Sequence, residues 1–528
     1  MRLSDLLRPA AWRAGALLML AGLCHALSLA WPFEWGWYPG QPMAALQVAA
    51  AATLVAVLER CQSGRQALAA AWLFATCMLA GTFWWLFISM HTYGGLAAPL
   101  AVLAVAVLSA ALGLYYALAG VLYWRWRQDS VGARVLLWAS LWLLAELARV
   151  ALFTGFPWGQ SGYAHVDGWA QPLAGWIGVH GLSWLSAAVA AALALWLVPA
   201  RQRPRPKFAM ALVIGALTVG WLEPIEQTHA PRPPLAVSLV QGNIAQDEKF
   251  VPSTGLADAL RFYGQELQRS GSDLIVLPET AIAVLPQQLD PAYWQGLQEH
   301  FAQGTKAALL GMPLGSFEAG YTNSVIGLKP GAHREPYRYD KHHLVPFGEF
   351  IPPLFKWFVR MMNIPLGDFN RGAVGQPSFE WRGERLAPNI CYEDLFGEEL
   401  GARFADAQTA PTIMVNVSNI AWFGDTVAID QHLQISRMRA LELGRPMIRA
   451  TNTGASVVID AQGRVTDALP RHTRATLMAT VQGTEGLTLY ARAVAHFGLW
   501  PWLLWAGLGL LAVAALHRKD RSKSETHA

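Results

Sequence analysis

Charge is scarce in this chain. Only 14% of its 528 residues are Asp, Glu, Lys or Arg, where soluble domains average about 25%. With 54% hydrophobic residues, the deficit points to a bilayer as part of the solvent. Cysteine is scarce as well: Cys24, Cys61, Cys77 and Cys391 are all there are. No two of them form a Cys-x-x-Cys pair, which excludes a zinc site of that kind. Cys391 is the lone cysteine of the central stretch, so that stretch holds no internal disulfide. A strong net charge is also missing. The formal balance is +4, and no basic run in the central stretch would track phosphates, so nucleic acid is not an expected partner.

What the chain does have is apolar sequence and tryptophan. Its 24 Trp suit a membrane–water boundary. The apolar residues concentrate before Pro224 and after Phe497. The expected organisation is a membrane domain over 1–223, a globular domain over 224–495, and a last span with a basic tail over 496–528. A spanning helix needs about 20 mostly apolar residues. About eight candidates fit that length: 14–30, 43–58, 67–90, 97–124, 135–154, 173–199, 208–222 and 497–516.

The loops between these segments alternate in charge. One set carries Arg2, Arg8 and Arg13; Arg60 and Arg65; Arg125, Arg127 and Arg134; Arg201, Arg203, Arg205 and Lys207; and Arg518, Lys519, Arg521 and Lys523. The other set, near 31–42, 91–96 and 155–172, has no Lys or Arg. Basic loops stay cytoplasmic. Both termini are therefore expected inside, and the globular domain outside the cytoplasm, which in a two-membrane bacterium is the periplasm. An even number of spans follows. The alternative for the N-terminus is a signal peptide cut after Ser28-Leu29-Ala30, but the next apolar segments follow closely and keep the alternation in phase.

Two features of the membrane part invite a functional reading. Glu146 and Arg149 lie inside the fifth span at helical reach, and intramembrane charges are costly; the alternative is a structural ion pair. The Lys/Arg-free loops are rich in Trp31, Trp35, Trp37, Tyr38, Phe156, Trp158 and Trp169, which read either as an interfacial belt or as a lipid-facing entrance.

In the globular part, apolar runs at 235–243, 273–280 and 411–419 alternate with helical patterns at 254–270 and 427–443. Continuous apolar strands imply sheets covered by helices, hence an α/β layered domain. Three reactive groups fall at strand ends or in the loops after them: Glu279 after "LIVLP", Lys341 in "YDKHHLVPFGEFIP" and Cys391 in "NICYEDLF". A thiol is mostly protonated at neutral pH and needs a base or a cation to become a nucleophile. Glu279 can be the base. Lys341 can lower the thiol pKa and stabilise an oxyanion, and the Tyr392 N–H is a natural second donor. His342, His343 and His432 lack a convincing ligand set for a metal, and no cofactor is called for.

These three segments resemble the Glu-Lys-Cys triad of the nitrilase, or carbon–nitrogen hydrolase, superfamily. The longer strings "KHHLVPFGEFIP", "NICYEDLF", "NIAWFGDT", "QHLQISRMRALELGRP" and "ATNTG" resemble its membrane branch, the apolipoprotein N-acyltransferases, over nearly the whole chain. The resemblance implies a polytopic α-helical membrane domain plus a nitrilase-like α-β-β-α sandwich. It implies transfer of an acyl chain from a phospholipid to the N-terminal amine of a diacylglyceryl-cysteine apolipoprotein, ping-pong through a Cys thioester, at the bacterial inner membrane. The triad maps onto Glu279, Lys341 and Cys391. Glu349 matches a second acidic residue of the family's site, and Tyr392 and Glu393 match the pair after the cysteine. Where the family often has Trp, this chain has Phe250, which keeps the aromatic face and loses the indole N–H. Rival readings are a membrane-anchored amidase, whose thioester water would resolve, and a transporter or scaffold with a dead enzyme domain. The apolar stretch 351–372 reads as a lipid-facing lid or as an ordinary amphipathic helix.

Overall fold

The computed structural model describes residues 9–197, 228–316, 318–331, 336–352 and 368–526, with isolated positions between 211 and 218. The seventh expected span, 208–222, and the centre of the expected lid, 353–367, lie outside the described residues apart from those positions. The chain divides into two compact units. One comprises Met1–Trp84, Val102–Ile225 and Leu499–Ala528; the other comprises Trp85–Ala101 and Glu226–Gly498.

The first unit is helical. Its elements are α1 (Pro9–Leu27), α2 (Ala44–Leu58), α3 (Gly64–Phe83), α4 (Ala98–Trp126, whose first residues belong to the other unit), α5 (Val131–Ala151), α6 (Ala174–Leu197) and a C-terminal helix, Trp500–Thr526. Among the described residues five helices are long and apolar enough to cross a membrane, and the apolar helices Trp12–Leu27 and Ala44–Leu58 are shorter. Side-chain caps start two of them: Ser63 accepts from the Gln66 N–H and Ser130 from the Ala133 N–H, satisfying donors that a helix start leaves open. Small residues let helices approach. A Cβ at Gly22 would come within 2.5 Å of the Phe74 carbonyl oxygen, where α1 meets α3, as is common when lipid supplies no hydrophobic drive for helix association.

Glu146 and Arg149 are both buried, yet no ion pair joins them among the described residues. Each binds the chain that follows α5. Glu146 accepts from the Ser161 N–H at 2.9 Å, the Ser161 hydroxyl at 2.7 Å and the Trp142 indole at 3.1 Å. Arg149 donates to the carbonyls of Phe156 and Trp158 and to the Tyr116 hydroxyl. Buried irregular backbone needs partners from the protein, and these two charges supply them.

The expected third span also ends early. Helix α3 stops at Phe83, and Trp85–Ala101 folds with the second unit. Periodicity alone could not see this, because Trp85, at 1% exposure, is as apolar against protein as it would be in lipid.

The second unit is a two-sheet sandwich. One sheet runs β13-β2-β3-β4-β5-β6 and the other β12-β11-β10-β9-β8-β7. The first contains β2 (Leu235–Gln241), β3 (Leu274–Val276), β4 (Ala307–Ser316), β5 (Gly320–Leu328), β6 (Tyr337–Asp340) and β13 (Ala475–Val481). The second contains β7 (Phe379–Trp381), β8 (Glu384–Ile390), β9 (Ile413–Ser418), β10 (Met447–Thr451), β11 (Val457–Ile459) and β12 (Val465–Ala468). A short pair, β1 (Thr228–His229) with β14 (Glu485–Gly486), stands apart. In each sheet three central strands are parallel, β2-β3-β4 and β8-β9-β10, and the flanking pairs are antiparallel.

Alternation along the strands builds the layers. Val237, Leu239, Leu274, Val276 and Leu309 face Ile390, Ile413, Val415, Val417 and Ile448 in the core between the sheets. The residues between them, such as Val240, Ile275 and Leu310, pack instead on α7 (Ala257–Arg269) and α8 (Pro291–Gln303) through Tyr263, Leu267, Leu297 and Phe301. Helix α9 (Ala428–Leu443) packs on β10 of the other sheet. The layer order is therefore α-β-β-α. Parallel strands also deliver the chains leaving them to one edge, and the reactive groups follow from that.

Candidate active site

Glu279 lies three residues past β3, Lys341 directly past β6, and Cys391 directly past β8. Each is placed by a local constraint. Gly311 on β4 passes so close that a Cβ there would stand 2.2 Å from the Pro278 carbonyl oxygen, which sets the path of the loop carrying Glu279. The Lys341 N–H donates to the Asn323 carbonyl at 2.8 Å, tying it to β5. Cys391 has φ +52°, a left-handed conformation uncommon outside glycine. It ends the strand sharply and opens the 3-10 turn Cys391–Leu395.

The three acidic and basic groups share one buried cluster. Lys341 Nζ is 3.1 Å from Glu279 Oε1 and 2.9 Å from Glu349 Oε1. Asn323 Nδ2 donates to the same two oxygens, at 2.8 Å each. The second oxygens are bound as well: Glu279 Oε2 accepts from the Asn419 N–H at 2.9 Å, and Glu349 Oε2 from the Val345 N–H at 2.8 Å. A buried ion cluster holds only when its lone pairs are filled in this way.

These contacts set the direction in which each group shifts. Burial raises the Glu279 carboxyl, but Lys341, Asn323 and Lys249 outweigh it and hold it below the usual carboxylate range. Burial disfavours the Lys341 ammonium, but Glu279 and Glu349 hold it well above the ordinary lysine value. Cys391 goes the other way from the sequence expectation. Burial pushes its thiol up, Glu279 adds to this, and Lys341 only partly offsets it. The direction of both shifts favours a thiol and a carboxylate over a thiolate and a carboxylic acid. A thiol held up in this way needs a base for its proton if it is to act as a nucleophile.

Glu393 joins the cysteine turn to the lysine loop. It accepts from the Ile390 N–H at 2.7 Å, the His342 N–H at 2.6 Å and the Tyr339 hydroxyl at 2.8 Å. Tyr392 is buried against His343 and Phe396. Behind the nucleophile, Arg449 Nη2 lies 3.1 Å from His432 Nδ1. Arginine only donates, so Nδ1 accepts and His432 carries its proton on Nε2. That N–H faces Asp394 Oδ1 at 2.9 Å and the Cys391 carbonyl at 3.2 Å. His342 and His343 are engaged elsewhere, with the Gly372 carbonyl at 2.8 Å and Glu399 at 2.9 Å.

Residue-by-residue reading of the sequence missed several members. Asn323, inside an apolar strand, bridges both carboxylates. Asn419 offers a backbone donor, which leaves no sequence signal. Lys249 is 3% exposed and donates to the Glu279 carbonyl at 3.1 Å; burial brings its pKa down to about 8. Phe250 is half-buried and reaches the cluster through the chain, as the neighbour of Lys249.

An α-β-β-α sandwich with a cysteine turn beside a Glu-Lys-Glu cluster defines a carbon–nitrogen hydrolase domain, and the family described as Carbon-nitrogen hydrolase matches residues 236–488. The remaining helices match residues 21–192 to the Apolipoprotein N-acyltransferase N-terminal domain. Among curated proteins, an apolipoprotein N-acyltransferase of Verminephrobacter eiseniae is 54% identical, covering 91% of this chain and 92% of its own length. Those of Bordetella bronchiseptica and Ralstonia nicotianae are 44% and 43% identical, over 97% and 96% of this chain and 98% and 94% of their own lengths. The chain belongs to the apolipoprotein N-acyltransferase family. It is a membrane-bound acyltransferase.

Proposed function

We propose that this chain moves an acyl chain from a phospholipid to the N-terminal amine of a diacylglyceryl-cysteine apolipoprotein, through a thioester on Cys391. In this reading the globular unit lies in the periplasm of a bacterium and the helices lie in its inner membrane. One observation carries it: the turn that opens at Cys391 meets a buried cluster in which Lys341 and Asn323 pin Glu279, whose charge, with burial, pushes the thiol up.

The chemistry runs in two halves. As Cys391 attacks the sn-1 ester carbonyl, Glu279 takes the thiol proton. Lys341 and the Tyr392 N–H hold the oxyanion, which is where preorganised donors contribute most. Collapse breaks the ester C–O bond, and Glu279 returns the proton to the departing lysophospholipid alcohol. The neutral amine then attacks the thioester, and Glu279 takes a proton from nitrogen. When the C–S bond breaks, that proton goes to the thiolate. An amide and a free thiol remain, and no metal is needed.

Incubating the solubilised protein with phospholipid alone tests the first half. The expected result is a hydroxylamine-labile acyl adduct on Cys391, absent from Cys391→Ala. An adduct that persists in that variant rules this nucleophile out. Release of free fatty acid or ammonia without amine acylation would favour a hydrolase instead.

A further inference from the structure

We propose that Trp85–Tyr93, the stretch between two membrane helices, is a positioning element of the catalytic site and acts through residues 419–432. The inference rests on the placement of the site at Cys391 and Glu279. It adds residues that lie far upstream of the globular domain in sequence.

Residues 419–432 touch both reactive groups. At one end the Asn419 N–H donates to Glu279 Oε2 at 2.9 Å, and its side chain is held by Gln246 at 2.8 Å and by Asn452 at 3.1 Å. At the other end His432 faces the Cys391 carbonyl at 3.2 Å and so braces a cysteine held at positive φ. Between these ends runs the 3-10 turn Ile420–Phe423 and then the start of α9. One side of this connection is tied to Arg471, which pairs with Asp430 and lies 3.8 Å from Asp425.

The upstream stretch supplies a second set of contacts. The Trp85 indole donates to Gln431 Oε1 at 3.1 Å, and both residues are buried. Gln431 is the immediate neighbour of His432. The Trp85 ring packs on Phe423 at 4.3 Å between centroids. The Tyr93 ring meets Trp422 edge-on at 5.9 Å. Ile88 closes over Gly424, where a Cβ would stand 3.5 Å from it. The stretch thus grips the middle of 419–432 by its aromatics and the end by a hydrogen bond. A donor removed here costs Gln431 this buried hydrogen bond one residue from His432, which faces the Cys391 carbonyl.

The test uses the full chain in detergent, with Trp85→Phe, Gln431→Leu and the double variant. Each single variant is expected to slow thioester formation on Cys391 about tenfold, and the double to be no slower than the worse single, the signature of coupled partners. A second readout is independent of any acyl donor: the pH profile of Cys391 alkylation by iodoacetamide, followed by peptide mass spectrometry. The thiol sits among Glu279, Lys341, Glu349, Asp394, Lys249 and Arg449. Loosening 419–432 admits water, so the alkylation midpoint should move to lower pH in the single variants. A role confined to stability would lower the amount of folded protein without moving that midpoint. Singles with wild-type rate and midpoint, or additive losses that only track folded protein, overturn the proposal. If Trp85→Phe does not fold, Gln431→Met keeps the volume, removes the acceptor and decides by the same readouts. A wild-type chain that takes no acyl group would sink the proposed function, and the alkylation profile would still decide this inference.

Discussion

Taking Lys341, Glu279 and Glu349 out of water together costs several kcal/mol per ion, and their attraction repays it only with good geometry and filled lone pairs. Asn323 is the residue that fills them from the strand side, with two bonds of 2.8 Å to the carboxylate oxygens that also bind the ammonium. Hydrogen bonds to charged groups contribute about 1.5–3 kcal/mol. Asn323→Ala should therefore lower stability by about that amount, read as a fall in melting temperature in detergent. The same change should alter the pH dependence of acyl-enzyme formation. Glu279 is held below the ordinary glutamate value, so in the wild type the base stays ionised at that value, and the rate falls only as pH drops through the depressed one. Its contribution to stability has the same sign, present above the unfolded value and lost in acid through the folded value. Lys341, held above its ordinary value, contributes stability present below that value and lost only as pH rises through the folded one. Without Asn323 the acid limb should move to higher pH, as rapid-quench rates across acid pH would reveal. An unmoved limb would mean that Asn323 does not tune the base.

At the scale of elements, the site depends on how closely strands pass the loops that carry it. Gly311 is the clearest case, because the atoms a Cβ would meet are backbone, the Pro278 oxygen at 2.2 Å and the Thr280 nitrogen at 2.7 Å. Backbone cannot rotate aside, so Gly311→Ala must push the Glu279 loop away from β4. Overpacking of this kind costs about 1–3 kcal/mol. The expected outcome is a folded protein with a lower melting temperature and a larger fall in thioester formation than the stability loss explains. A variant with the wild-type rate would show that the loop has slack. The same scale explains what pattern reading overlooked. The strand runs and the helices at 254–270 and 427–443 were legible because burial on a sheet or helix face leaves a period in sequence. The end of α3 was not, since an aromatic stretch buried against protein and one buried in lipid look alike. Glu393 was legible as a neighbour of the nucleophile, but its task of tying Ile390, His342 and Tyr339 together needs contacts across β6 and β8.

At the scale of the whole molecule, the alternation of basic and Lys/Arg-free loops makes a prediction that can be tested in cells. With the native cysteines replaced, Met478→Cys on the exposed face of β13, where the side chain is 74% exposed, should label with a membrane-impermeant maleimide in spheroplasts. Arg65→Cys, exposed in the first turn of α3, should label only after permeabilisation. The reverse pattern would overturn the proposed placement of the catalytic unit. Sequence by itself determined the membrane character and the layered α/β class and, through family strings, pointed to Glu279, Lys341 and Cys391. Those properties are written in composition, period and local motif. Only the tertiary structure decided that Asn323, Asn419 and Lys249 complete the cluster, that Trp85 bonds Gln431, and that Glu146 and Arg149 bind the chain after α5 rather than each other. Such pairings join residues far apart in the chain and leave no local trace. The direction in which the Cys391 thiol shifts depends on three-dimensional surroundings in the same way. A lysine near a cysteine suggests a thiolate, but burial and the Glu279 charge together outweigh that lysine, and neither magnitude can be read from a string of letters.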